Sequence, residues 1–315
     1  MANNRHRIRI GTRRSQLAMW QACHVRDRLL AIHPGLDVEI VEIVSEGDKT
    51  LDIPLSSVGG KGLFLKELEM ALLNGDTDIA VHSMKDVTVT LPEGLVIPVI
   101  CPREDPRDAF VSNRYQNIED MPAGSVVGSC SLRRRCQIQA AFPHLEVRNL
   151  RGNVNTRLAR LDAGDYDALI LATAGLIRLE FQERIQQYLP VEICLPAVGQ
   201  GAVGIECRAD DEKTQHLIAP LNDKDATIRL RAERAANKKL GGGCHVPIAV
   251  YAELKGGTIK VTGLVGEPDG TRVLHASASG GAENAAALGV EVAEALMAQG
   301  AADTLERVYQ QDRAT

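Results

Sequence analysis

Val126-Val127-Gly128-Ser129-Cys130-Ser131-Leu132-Arg133-Arg134-Arg135 passes from an apolar pair through a glycine and three small polar side chains into a block of arginines. That order predicts a buried strand, a tight turn and the first turn of a helix. Free N–H groups, serine oxygens and guanidinium forks then meet at one point, which makes an anion seat. The same grammar stands near the start of the chain, where Ile8-Arg9-Ile10-Gly11 leads into Thr12-Arg13-Arg14-Ser15-Gln16. A basic helix face in solvent explains either segment alone. Its occurrence twice points to two similar α/β halves facing one cleft.

Around the first copy, apolar residues at Leu17, Met19, Trp20, Val25, Leu29 and Leu30 predict a helix reaching about residue 32 with those side chains as its buried face. His33-Pro34-Gly35 stops it. Residues 38–44 alternate apolar and acidic side chains, a strand with one wet face. Strand, turn, helix and strand in this order begin a parallel α/β layer. Residues 45–62 have no periodicity and are rich in Gly, Ser and Lys, so this long connection, with Lys61, is a lid candidate. An amphipathic helix is expected over 63–73.

Asp78-Ile79-Ala80-Val81-His82-Ser83-Met84-Lys85-Asp86 reads as a buried strand with a polar carboxyl end. In open α/β sheets ligands bind at that edge, which draws attention to Ser83, Lys85 and Asp86. A surface Lys-Asp pair is the plainer alternative. A strand follows over 96–100. Residues 101–108 hold two prolines and many charges, as an inter-domain linker does.

Beyond the second copy, strands are predicted over 145–150 and 166–172, and a Gly-Asn helix start stands at Arg151-Gly152-Asn153. Arg151, Arg157 and Arg178 all fall at or just after strand ends. With Arg13/Arg14 and Arg133/Arg134 they suit a ligand carrying several carboxylates or phosphates. Residues 195–206 mix turn residues with a short strand and suit a return of the chain to the first half. Helices are expected over 211–221 and 225–240. Strands over 248–254, 258–265 and 272–279, with a helix over 283–299, predict a small α+β domain. The expected division is 1–101 with 202–220, then 107–195, then 224–315.

Composition narrows the function. The chain has 315 residues, a formal charge of −5 and 3% aromatics, which argues against base stacking and against general nucleic-acid or membrane-surface binding. No apolar run of membrane-spanning length occurs, and the basic N-terminus leads into a strand instead of an apolar signal core, so a cytoplasmic protein is expected. The seven cysteines form no C-x-x-C pair, the histidines are scattered and no Walker spacing is present. No metal is expected, and the cysteines indicate a reducing compartment.

One stretch stays apart, Leu240-Gly241-Gly242-Gly243-Cys244-His245-Val246-Pro247, three glycines running into a thiol. By itself it is a glycine-rich helix C-cap with a cysteine next to it. Glycine backbones also let a ligand approach closely, and a cysteine there is easily reached. From the residues alone, a two-lobed binding protein for a small anion and an enzyme with a tethered ligand both remain open. The first gives no use for that cysteine. A thiol hydrolase lacks an identifiable base.

These segments together resemble the porphobilinogen deaminases, also called hydroxymethylbilane synthases, over nearly the whole chain. The matching pieces are Gly11-Thr12-Arg13 with Ser15, Gly59-Gly60-Lys61-Gly62-Leu63-Phe64, Ala80 through Asp86, Ser131-Leu132-Arg133-Arg134, Arg151-Gly152-Asn153 and Gly242-Gly243-Cys244. The resemblance implies two periplasmic-binding-protein-like (type II) α/β domains with the active-site cleft between them, plus a small α+β C-terminal domain. It implies a dipyrromethane cofactor held by Cys244 through a thioether. It also implies a transferase that joins four porphobilinogen molecules head to tail onto that primer, losing ammonia each time, and releases hydroxymethylbilane by hydrolysis. Asp86 would be the catalytic carboxylate. Lys85, Ser83, Ser129, Ser131, Arg133, Arg134 and Arg157 would hold the cofactor. Arg13, Ser15, Arg151, Arg178 and Gln200 would bind substrate, and Lys61 would belong to the lid. A monomer acting on a small molecule, without nucleic acid or membrane, is expected. Each pyrrole carries two carboxylates, and a charge-assisted hydrogen bond nets about 1.5–3 kcal/mol, so many guanidinium partners suit the task. Two positions depart from the family pattern: Cys130 stands for a small hydroxyl residue and Thr88 for a proline.

Overall fold

The computed structural model describes residues 7–44, 65–243 and 246–314, with backbone alone for 311–314. The first sheet starts with β1 (Arg7–Thr12), whose alternate residues Ile8 and Ile10 are fully buried. Ser15 then caps α1 (Gln16–Ile32), its Oγ accepting from the Ala18 N–H at 3.3 Å. β2 (Asp37–Glu42) returns parallel to β1. After α2 (Lys66–Leu73), β3 (Ile79–Ser83) lies parallel on the other side of β1, and β4 (Leu95–Ile100) follows.

The predicted buried face of α1 needs correction. Leu30 is 41% exposed, and the residues that pack on the sheet are Gln21, Ala22, Val25 and Leu29. Ala22, Val25 and Leu29 follow one another at i, i+3 and i+7 and form the inner stripe, and Leu30 falls outside it. Trp20 is turned instead toward Arg178, whose guanidinium lies 5.4 Å from its ring centre.

The second sheet repeats the plan. Its strands are β5 (Asp108–Val111), β6 (Val126–Gly128), β7 (Glu146–Arg148), β8 (Ala168–Ala172) and β9 (Gln187–Tyr188), in the order β7-β6-β8-β5-β9. Ser131 caps α3 (Leu132–Ala141), Asn153 caps α4 (Val154–Asp162), and α5 (Thr173–Arg178) follows β8 directly. The first sheet has the matching order β2-β1-β3-β10-β4, with β10 (Val203–Arg208) arriving from the far end of the second. In each sheet the fourth strand is antiparallel to both neighbours, and it is the first strand after the chain has crossed between sheets. This is the two-lobed, periplasmic-binding-protein-like arrangement with one crossing in each direction.

The two crossings run side by side. Glu104 N donates to Gly201 O at 3.1 Å, Cys101 N to Val203 O at 2.9 Å and Arg103 Nε to Gln200 O at 2.8 Å. Gly201 has φ +86°, and a Cβ there would stand 2.4 Å from Glu104 O, so only glycine fits.

After α6 (Glu212–Ile218), α7 (Lys224–Lys239) opens the third unit. Its sheet is the antiparallel meander β11 (Ile248–Lys255), β12 (Thr258–Gly266) and β13 (Val273–Gly281), covered by α8 (Ala285–Ala298), with α9 (Ala301–Ala314) beside it. A Cβ on Gly289 would lie 2.1 Å from Ala232 O, which shows how closely α7 and α8 cross. Glu233 of α7 ties this unit to the crossings. Its carboxylate accepts from Arg103 at 2.6 and 3.2 Å, from Gly199 N at 2.8 Å and from Ala252 N at 3.0 Å.

Candidate active site

β3 ends at Ser83, and a single 3-10 turn, Met84–Asp86, carries the chain off the sheet edge. Met84 is buried, whereas Asp86 is exposed. Glycines make room for the methionine: a Cβ at Gly204 would lie 2.2 Å from its Sδ, and one at Gly199 would lie 2.9 Å from its Cβ. The turn is thus pressed onto β10 and the second crossing, and Asp86 points away from the packed side.

Asp86 lines a pocket together with Arg13, Ser15, Gln21, His82, Ser83 and Leu65. The α1 N-terminus and the β3 carboxyl edge therefore meet where the strand-end argument placed a ligand. Gln21 Nε2 donates to Ser83 Oγ at 2.8 Å and fixes that hydroxyl. At the pocket wall, His82 Nε2 and Glu206 Oε2 are 2.8 Å apart, both almost wholly buried.

Cations gather here from both lobes, Lys85 from the turn after β3 and Arg134 and Arg157 from the second lobe. Burial pushes the Lys85 ammonium below its ordinary value; Asp86 opposes this, while Arg134 and Arg157 add to it. Burial likewise lowers the Arg157 guanidinium, which also feels Cys130, Arg134 and Asp86. Lys85, Asp86, Cys130, Arg134 and Arg157 thus form one electrostatic group that spans both lobes. Arg157 Nε donates to Gly152 O at 2.7 Å, which orients its head from the start of α4. Ser129 is buried and accepts from Ser131 N at 3.3 Å, while Ser131 Oγ accepts from Arg134 N at 3.4 Å. The two hydroxyls hold the turn before α3 in shape.

Arg133 and Arg134 are buried against a partner that the sequence reading did not single out. Arg133 Nη1 lies 2.8 Å from Asp108 Oδ2, and Arg134 Nη2 lies 2.7 Å from Asp108 Oδ1. Burial alone would raise the Asp108 carboxyl, but the two guanidiniums outweigh it and hold it well below the usual carboxylate range. Gln200 joins them, its Nε2 donating to Asp108 Oδ1 at 3.0 Å and to Pro106 O at 2.6 Å. Arg178 is placed differently, with Nη2 donating to Gly201 O at 2.7 Å, and so braces the crossing beneath Trp20. Arg151 lies exposed just ahead of Gly152, whose φ of +112° turns the chain into α4. Cys244 and Lys61 lie outside the described residues.

Gln21 was legible in principle, as a polar residue inside the otherwise apolar stripe Ala18, Ala22, Val25. Asp108 and Glu206 carry no local signal, because each is a carboxylate on a strand whose partner comes from a distant segment.

The donor set suits a polycarboxylate. Around Asp86 and Asp108 stand Lys85, Arg133, Arg134 and Arg157, with Arg13 in the Asp86 pocket, so cations outnumber these two carboxylates. A dipyrromethane with acetate and propionate arms fits that excess of positive charge. Among the described residues no group of three potential ligands could hold a metal ion. No described helix is long and apolar enough to cross a membrane.

Comparison with known families gives two adjacent matches. Residues 8–216 match the model described as porphobilinogen deaminase, dipyromethane cofactor binding domain, and residues 227–298 match that of the porphobilinogen deaminase C-terminal domain. Among solved structures, a putative methionine-binding lipoprotein of Bacillus subtilis aligns over 70% of this chain and 92% of its own, at 12% identity and a TM-score of 0.44. The methionine-binding protein MetQ aligns over 74% and 94%, at 15% identity and a TM-score of 0.46. A nutrient-binding protein from Burkholderia cenocepacia, solved bound to methionine, aligns over 70% and 93%, at 14% identity and a TM-score of 0.44.

Proposed function

The chain belongs to the porphobilinogen deaminase family, and from that premise we propose that it joins four porphobilinogen molecules head to tail, with loss of ammonia, onto a dipyrromethane covalently held by Cys244, and releases hydroxymethylbilane by hydrolysis. The observation that carries this reading is the exposed carboxylate of Asp86. It stands in a pocket with Arg13 and Ser15 of the first lobe and beside Lys85 and Arg157. When bound, the dipyrromethane would supply the free pyrrole carbon that accepts the first unit, each later unit joining the ring added before it. Lys85, Arg134 and Arg157 hold its carboxylates, with Arg133, Ser83, Ser129 and Ser131 shaping the seat.

Substrate enters on the other side of Asp86. Arg13 and Ser15 at the α1 N-terminus take its carboxylates, an arrangement supported by the free N–H groups and positive dipole end there. Arg151 adds a further cation for substrate, while Arg178 and Gln200, bound to Gly201 O and Asp108, would act from beneath the site. As the aminomethyl nitrogen departs as ammonia, positive charge spreads onto the pyrrole nitrogen, and the Asp86 carboxylate stabilises it from a fixed position. When the new carbon–carbon bond has formed, the ring carbon sheds its proton, and Asp86 is placed to take it.

Three units share this work in the proposed division, 1–101 with 202–220, 107–195 and 224–315. Its support is the three separate sheets and the paired crossings at 101–107 and 195–202. Lys61 and the lid role of 45–62 rest on the sequence alone. Intact-protein mass tests the tether: the chain purified from cells making porphobilinogen is expected to exceed its sequence mass by one dipyrromethane, and Cys244→Ser to lose that excess. An unmodified wild-type chain with full activity would refute the cofactor reading.

A further inference from the structure

We propose that Asp108 is the positioning residue of the anion seat, ordering the Arg133–Arg134 fork before any ligand arrives; this rests on the reading of that seat as the cofactor site. Asp108 is the first residue of β5, the strand that enters the second lobe straight after the crossing. It is fully buried, and each of its oxygens is shared. Oδ1 takes Arg134 Nη2 at 2.7 Å, Arg134 Nε at 3.1 Å and Gln200 Nε2 at 3.0 Å. Oδ2 takes Arg133 Nη1 at 2.8 Å and the Cys194 thiol at 3.1 Å. Donors therefore converge from α3 and from the segment leading into the return crossing.

Two neighbouring guanidiniums in a buried site repel each other, and without an anion between them they splay or take in water. One carboxylate gripping both keeps them parallel and fixes their distance from Lys85 and Arg157. It also sets the charge of the pair at one net cation. The seat is then cationic enough to recognise a polycarboxylate, yet rigid without one, so less ordering is needed on binding. Cys194 explains itself in the same frame. Its thiol is buried, burial pushes it far above the ordinary thiol range, and it serves as a hydrogen-bond donor to Oδ2. Because Gln200 and Pro106 belong to the two crossings, Asp108 also links the seat to the hinge on which the lobes meet.

The test follows loading of the apoprotein, made in cells lacking porphobilinogen, by intact mass during incubation with porphobilinogen. Wild type gains the dipyrromethane mass. Asp108→Asn, assayed below its own melting transition, is expected to load more slowly by about tenfold or more, the scale of displacing a binding group by a fraction of an ångström. Its half-saturating porphobilinogen concentration should rise as well. Loading of folded Asp108→Asn at the wild-type rate overturns the proposal. Should that variant not fold, Cys194 decides: Cys194→Ala is expected to slow loading roughly twofold by removing one weak donor, and Cys194→Ser to restore it. Equal rates for wild type, Cys194→Ala and Cys194→Ser overturn it too. A wild-type chain that gains no mass refutes the cofactor reading itself, an outcome distinct from a variant that matches wild type.

Discussion

Replacing Glu233 with glutamine should loosen the third unit from the two lobes, and the size of the effect follows from its partners. The side chain is 0% exposed and the paired Arg103 side chain 2%. Four hydrogen bonds converge on the carboxylate, two from Arg103 and one each from the backbone N–H groups of Gly199 and Ala252. Glutamine keeps the shape but turns an NH2 toward two donors and leaves the buried guanidinium without its counter-ion. Breaking a buried pair from one side costs about 3–5 kcal/mol. Equilibrium unfolding in urea, followed by Trp20 fluorescence and by limited proteolysis near residue 222, reports both the loss and its place. Arg103→Met with Glu233→Met should recover only part, because the Gly199 and Ala252 N–H groups stay buried without an acceptor at about 1–3 kcal/mol each. A Glu233→Gln variant within about 1 kcal/mol of wild type, or a double variant showing no coupling, would refute the reasoning.

Two further outcomes follow from local geometry. Gly199 has φ +70°, and a Cβ there meets the Met84 backbone carbon at 3.0 Å; Gly199→Ala costs about 1–2 kcal/mol for the left-handed backbone and shifts the turn bearing Asp86. Its kcat should fall with KM little changed, whereas an unchanged kcat in a merely less stable protein would contradict the seating of that turn. Burial pushes the Cys101 and Cys207 thiols up to about 11 and the Cys136 thiol to about 12. Their folded values are raised, so these thiols stay protonated at neutral pH and the stability linked to them falls only as pH climbs from the ordinary thiol value toward 11–12. At about pH 8 a thiol reagent should therefore label exposed Cys130 well before those three. Peptide mapping that finds Cys136 labelled as fast as Cys130 would contradict the packing around α3.

Much of the fold was legible because strands of a parallel layer announce themselves. Residues 168–172 are an unbroken apolar run and 79–83 an apolar run with a polar end, and the structure puts both at the centre of their sheets. Ser15, Ser131 and Asn153, each at a predicted helix start, all cap helices by accepting N–H bonds. Legibility failed where partners are distant. In sequence Asp108 is the tail of a charged linker and Glu233 one of many charges within 225–240, although both are fully buried. A carboxylate inside a charged stretch gives no sign of burial when its arginine lies tens of residues away. The same limit hid the true commitment of Arg133 and Arg134, which read as open anion forks but already grip Asp108. The face of α1 was misjudged for another reason. Counting apolar residues weighted Leu30 above Ala22, whereas Ala22 is the one that shares the i, i+3, i+7 stripe with Val25 and Leu29.

Ammonia release from porphobilinogen by Asp86→Asn protein, loaded with cofactor and compared with wild type, tests the central claim most directly. The substitution keeps size and exposure and removes the charge from the turn, so the melting transition should stay close to wild type. Single-turnover ammonia release is expected to fall by about 10²–10⁴-fold, the scale of a positioned acid–base group. Release at close to the wild-type rate from such folded, loaded protein would contradict the assignment of Asp86 as the catalytic carboxylate.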